Sequence, residues 1–323
     1  MVRTGIHLTA AACVAAVLFG AAAQAEPLAY ITNQGGDSVS LIDTLSNHVV
    51  ETLGLPKGSR PAGVAVSRDG GLAAVTNAEG KTLTLIDGHR RVIRQTLPMG
   101  DGPVGVAMPS NGGRVYVADW YGHYVSVFDT VGGQVLKRIP VGKSPSGIAV
   151  SGDGNKVYVA NRDDNSVALI DAAGLEVKRT VAVGRHPFGI TLSADGKRLY
   201  SANVESNDVS VIDTADMRVV KTVKVGERPY AIALALGGKR IFVTDQYDNA
   251  VAVIDGDSLS MVGSVEVGQY PEGIATHPDD RHVYVANWMD NSVSVIDAET
   301  LKVVRTIKTG EGSRAFGQFI AGH

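Results

Sequence analysis

Cysteine occurs once in 323 residues, at Cys13, inside an N-terminal stretch that reads as a cleaved leader. Without it the chain has no thiol, which excludes both disulfides and a thiolate nucleophile and leaves stability to packing. Neither sign of charge prevails: 30 basic and 33 acidic residues give a net charge of -3, and no basic run stands out. That argues against a dedicated nucleic-acid binder, which would carry a basic stripe. Aromatic residues make up only 6% and histidine only 8 positions, too few for a histidine-built copper cluster. Beyond the leader no apolar run approaches the ~20 residues of a bilayer span, so no membrane span is expected there. A helical period appears nowhere outside the leader. No G-x-S-x-G or phosphate-loop motif occurs in the strand–turn–helix setting it requires.

The leader itself covers residues 1–25. Arg3 supplies the positive start, an apolar run follows from Leu8 to about Ala23, and Ala23-Gln24-Ala25 forms a small-x-small cleavage site before Glu26. Ala10, where a lipid-attachment signal would favour Leu, argues against anchoring through Cys13. The expected location is periplasmic or secreted.

Glycine is plentiful, at 38 of 323 residues against a usual share of roughly 7%, and it falls in a repeat. Tyr30-Ile31-Thr32-Asn33 returns as Ala74–Asn77, Tyr116–Asp119, Tyr158–Asn161, Tyr200–Asn203, Phe242–Asp245 and Tyr284–Asn287, spaced by 44 residues once and by 42 five times. Ten residues after each unit comes an aspartate: Asp43, Asp87, Asp129, Asp171, Asp213, Asp255 and Asp297. A period of ~40–45 residues with about four strands per unit marks a β-propeller blade. The units run near residues 28–70, 71–112, 113–154, 155–196, 197–238, 239–280 and 281–323. In the fourth unit, strand a is read over 147–151, b over 156–161, c over 166–171 and d over 176–183, with turn residues between.

These units resemble the YVTN family of β-propeller repeats. Tyr30-Ile31-Thr32-Asn33 nearly spells its signature, Val-Ser-Val-Ile-Asp occurs identically at 209–213 and 293–297, and Gly-x-x-Pro-x-Gly-Ile leads into strand a at 142–148 and 184–190. The resemblance spans residues 28–320. It implies an all-β, seven-bladed propeller of four-stranded antiparallel blades, and an extracytoplasmic binding or surface role. The phase of the repeat completes the architecture. The chain after the leader starts at a strand b (28–33), and an extra strand a, Arg314–Ile320, ends it, so this C-terminal innermost strand should close the first blade.

The repeated Asp, Asn and Tyr residues recur in every blade and read as structural: Asp and Asn at turns, Tyr between blades. A site is therefore sought where the repeat breaks. In an antiparallel meander the b–c turns and d–a loops share one side of the disc, here called the loop face. All non-repeating Tyr and Trp residues fall there, in Trp120, Tyr121, Tyr124, Tyr230, Tyr247, Tyr270 and Trp288. The residues flanking the loop proline make the funnel lopsided, with His186, Phe188, Arg228, Tyr230, Tyr270, Glu272 and Arg314 along one arc. The expected ligand-binding set is Trp120, Tyr121, His186, Phe188, Arg228, Tyr230, Tyr247, Tyr270, Glu272, Trp288 and Arg314, with aromatics for stacking and arginines for a carboxylate or phosphate. Two bland explanations compete: the aromatics plug the hole of the ring, and Glu272 pairs internally with the arginines.

No cofactor and no metal is expected, since His123 and His186 alone reach the loop face, in different blades. The expected partner is a small molecule or protein on that face, bound by a monomer. A cofactor-linked (haem- or quinone-associated) or lactonase-like enzyme using the same funnel is the alternative, and there Glu272, His186 and Arg228 form a geometrically conceivable acid–base set. A purely structural surface module is the third.

Overall fold

A computed structural model of the chain describes residues 1–2 and 27–322; the leader expected over 1–25 lies, apart from its first two residues, outside the described residues. Seven antiparallel sheets follow one another along the chain. Blade 1 holds Leu28–Asn33, Ser38–Asp43 and His48–Gly54, and the other six are four-stranded, from Pro61–Pro98 in blade 2 to Pro271–Lys308 in blade 7. The fourth unit matches its reading closely: strands b and c stand at Lys156–Asn161 and Ser166–Asp171, while a and d are Pro145–Val150 and Glu176–Ala182. A single 3-10 turn, Arg162–Asp164, is the helical content among the described residues, and no described helix is long and apolar enough to cross a membrane.

Each strand carries the residues its position demands. Strands b and c are covered on both faces by neighbouring blades, so their runs of Val, Ile and Leu are buried along nearly their whole length. Strand d is the outer edge, and each one carries Lys, Arg or Glu among its exposed or half-buried residues, as in Glu176-Val177-Lys178-Arg179. Its pairing with strand c also slips by one residue in every blade. Charge and bulge together protect an edge from pairing with another chain. The repeated aspartates each accept amides of the c–d turn, as Asp43 does from Leu45 at 2.8 Å and Asp255 from Ser258 at 2.9 Å. The repeated tyrosines Tyr30, Tyr116, Tyr158, Tyr200 and Tyr284 lie in the apolar core, at most 3% exposed.

The innermost strands meet around the channel by a contact that only glycine permits. A β-carbon on Gly63, Gly105, Gly147 or Gly189 would stand 2.3, 1.7, 2.3 or 2.4 Å from the carbonyl oxygen of Val104, Ser146, Phe188 or Tyr230 in the next blade. Three threonine hydroxyls brace the same seam. Thr76 Oγ1 donates to the Val104 carbonyl at 2.7 Å and accepts the Gly63 N–H at 2.9 Å; Thr244 and Thr32 repeat the pattern toward Glu272 and Ala62.

Closure departs from expectation in its regularity. The C-terminal segment lies against the first blade, through bridges Asn33 to Ser313 and Ala29 to Ile320, but Arg314–Ile320 is not a continuous strand. Ala315 (φ 50°) and Gly317 (φ 117°) turn the backbone out of the pleat. Its hydrogen bonds are therefore shared out. Arg314 N–H reaches the Thr32 carbonyl in blade 1, Val64 and Val66 of blade 2 donate to the Phe316 and Gln318 carbonyls, and Gly273 of blade 7 donates to Arg314. Truncation after Thr309 removes all of these bonds at once. The expected result is a lower melting temperature and a less cooperative transition by calorimetry; unchanged melting would contradict this closure.

Candidate functional site

The loop face is built by a clamp that repeats from blade to blade. The residue before the loop proline, normally confined to extended backbone, is left-handed at Arg60, Ser144, His186, Arg228 and Tyr270, with φ between 49° and 56°. Its N–H is held by the b–c turn of the preceding blade: His186 by Asn165 Oδ1 (2.9 Å), Arg228 by Asn207 (3.0 Å) and Tyr270 by Asn249 (2.9 Å). Its carbonyl accepts the N–H that follows strand b, as from Val204, Gln246 and Trp288. Two hydrogen bonds thus offset the strain and fix these side chains at the blade seams. In one seam His123 takes the asparagine's place, accepting the Ser144 N–H on Nδ1 at 3.1 Å, which makes it structural.

Within this frame the expected residues fall into three groups. The first plugs the channel. Phe188 stacks on Tyr230 with ring centroids 4.2 Å apart, and Phe316 packs against both at 4.9 and 5.6 Å. All three are at most 8% exposed, and Trp120 joins them, 6.0 Å from Phe188. For Phe188 and Tyr230 the hole-filling explanation describes their contacts. Phe316 escaped the sequence reading because it lies in the closing segment, where ring closure already accounted for it.

The second group is an ion pair on top of this plug. Glu272, 2% exposed, receives Arg314 Nε on Oε2 and Arg314 Nη2 on Oε1 (3.1 Å), with Gln246 Nε2 also on Oε1 at 3.0 Å. The other Arg314 bond goes to the Tyr230 hydroxyl at 2.8 Å. Burial pushes the Glu272 carboxyl up against the pull of Arg314; burial works against the charge on Arg314, but Glu272 and Tyr230 outweigh it and hold the guanidinium ionised. Glu272 and Arg314 thus satisfy one another. His186 stands apart, with Nδ1 2.9 Å from Glu205 and Nε2 3.9 Å from Asp163. Glu272 and His186 thus face different charged groups and neither pairs with Arg228, so the conceivable acid–base set is not assembled.

The third group lies at the surface. Tyr247 of blade 6 and Tyr270 and Trp288 of blade 7 form a ladder with centroids 5.8 and 5.4 Å apart. Tyr247 is 54% exposed. Arg228 lies over the Tyr247 ring at 5.0 Å and Arg314 over Trp288 at 5.5 Å. Unlike Arg314, Arg228 takes part in none of the ion pairs among the described residues, and its Nε is buried without a hydrogen-bond partner. Tyr121, 70% exposed, stands away from the ladder on blade 3.

The comparisons with known proteins bear on the fold more than on this site. Residues 96–217 match the family model "Lactonase, 7-bladed beta-propeller". No curated protein matches the chain. Among solved structures, hydrazine synthase of Kuenenia stuttgartiensis is similar with a TM-score of 0.72 and 23% identity, over 79% of this chain and 88% of that one. A functionally unknown protein from Desulfotomaculum acetoxidans DSM 771 is similar with a TM-score of 0.77 and 16% identity, over 90% and 99%. At such identities these structures share the seven-bladed fold and nothing finer.

Beneath the ladder lies one group that the repeat did not foretell. Asp245 stands where most blades have Asn, and the hydroxyls that those asparagines engage, as Asn33 does Ser38 and Ser40, are replaced by Ala250 and Ala252. Its Oδ2 accepts the Gly226 N–H at 3.2 Å, while Oδ1 is buried without a partner. Burial raises its pKa to about 7 from an ordinary 3.8. The folded state therefore holds this proton more tightly than the unfolded one. The stability it confers is complete below about pH 4 and disappears as pH rises through 7. In thermal melts from pH 4 to 8, Asp245→Asn is expected to lose that part of the decline; a variant whose curve parallels the parent would refute it.

Proposed function

We propose that the chain is an exported YVTN-type propeller that binds an anionic, ring-bearing ligand on its loop face. The observation that carries this reading is Arg228: a guanidinium without an acidic partner, at the end of an aromatic ladder. Sugars and aryl groups stack on such rings, and a carboxylate fits the fork of an arginine. The role is that of a binding module, and export rests on the residues of the leader. Mature protein beginning at Glu26 on N-terminal sequencing is the expected outcome for that part; an intact Met1 would count against it.

The ladder holds one of the chain's two tryptophans, so fluorescence titration reports on it directly. With glucuronate and 4-hydroxybenzoate as probes, Arg228→Ala and Tyr270→Ala are expected to weaken binding about tenfold or more with little change in melting temperature. Arg314→Ala should do the reverse. It leaves Glu272 buried and uncompensated, at a cost of about 3–5 kcal/mol, with affinity changed little. Equal affinity in the parent and the Arg228 variant would end this reading.

A lactonase-like enzyme is the second reading, favoured by the family-model match over residues 96–217. Its acid–base group would have to be His186 with Glu205 or Asp163, because Glu272 is committed to Arg314. Proton release from glucono-δ-lactone, abolished by His186→Ala, is the result expected if it holds. Release at the uncatalysed rate would set it aside.

A further inference from the structure

Behind the aromatic plug the innermost strands line a half-open cavity of about 1170 Å³. Phe316 forms part of both the plug and the cavity wall. The cavity is bordered by the a–b turns, through Arg68, Asp195, Lys239 and Asp280, and so lies toward the face opposite the aromatic ladder. Its volume exceeds the usual range of small-molecule sites, roughly 300–1,000 Å³, so one small molecule would occupy part of it. Met108, Val150, Leu192 and Leu234 line it and are each only partly buried. Each packs on one side against the core between blades and keeps its other side toward the cavity, which leaves apolar area for a ligand to cover.

Charge at the mouth decides the class of ligand. The acids there are largely engaged. Asp195 accepts the Ser193 hydroxyl at 2.7 Å and the Lys197 amide at 3.1 Å, and Asp280 accepts the Gly237 amide. Asp257 is the remaining carboxylate on the lining. Of the bases, Arg198 donates to the Gly256 carbonyl at 3.0 Å and Lys197 lies 3.7 Å from Asp195. Arg68 and Lys239 belong to none of the ion pairs among the described residues. With four bases to three acids on the lining, the mouth carries one net positive charge beside a partly apolar wall, which suits a molecule with the same division.

We propose that this cavity binds one amphiphilic anion, with an aliphatic or fused-ring body against Met108, Val150, Leu192 and Leu234 and a single carboxylate or sulfonate at the basic mouth. The site is separate from the ladder and does not rest on the function proposed for it.

The test is a fluorescence titration of the chain from Glu26 to His323 with 8-anilinonaphthalene-1-sulfonate. One saturable site per chain is expected. Leu192→Trp, which covers part of the apolar wall, should weaken it at least tenfold. The double variant Arg68→Ser, Lys239→Ser should weaken it about fivefold at low salt, while binding of the neutral N-phenyl-1-naphthylamine is unchanged. Tyr270→Ala on the ladder should bind like the parent. If Leu192→Trp fails to melt cooperatively, Leu234→Glu is judged by the same criterion. The proposal is overturned by the absence of a saturable site, by parent-like binding in a folded cavity variant, by parent-like binding in the double variant, or by loss of binding in Tyr270→Ala.

Discussion

The architecture depends on how closely seven innermost strands can approach one another. At Gly63, Gly105, Gly147 and Gly189 the backbone of one blade rests on a carbonyl of the next, at a separation that leaves no room for a β-carbon. That approach sets the angle between blades and the width of the channel. It also explains the Pro-x-Gly signature. Proline fixes the entry into the strand, the bulge follows, and glycine makes the contact. Where the pattern changes to Ser313-Arg314-Ala315, the same seam carries the closing segment instead, with its bonds divided among blades 7, 1 and 2.

A ring of this width has to be filled, and the filling divides the molecule in two. Phe188, Tyr230 and Phe316, capped by Glu272 and Arg314, obstruct the channel beneath the loop face. Residues that a linear reading places along one funnel thereby acquire different duties. Some pack, some neutralise each other, and Arg228, Tyr247, Tyr270 and Trp288 remain at the surface. The plug also separates this surface from the apolar cavity behind it, so the two faces present different chemistry.

The left-handed residues before proline connect fold to site. A β-carbon in that conformation costs of order 1–3 kcal/mol and survives only where surroundings enforce it. Here an asparagine of the preceding blade supplies the enforcement at His186, Arg228 and Tyr270. The side chains are thereby held at seams between blades, where residues from two repeats come together.

Most of the fold was legible in the sequence. The 42-residue period, the phase of its first strand and the turn aspartates determined seven blades, their strand order and a closure at blade 1, because each follows from local periodicity and turn chemistry. The site was legible as a list but not as a set of roles. That Glu272 and Arg314 satisfy each other while Arg228 has no acidic partner depends on distances across seams, between residues 42 or more positions apart. That Phe316 completes the plug depends on the departure of the closing segment from a regular strand, which Ala315 and Gly317 impose. Such outcomes are decided by which side chains meet when the ring closes, and only the tertiary structure contains that information.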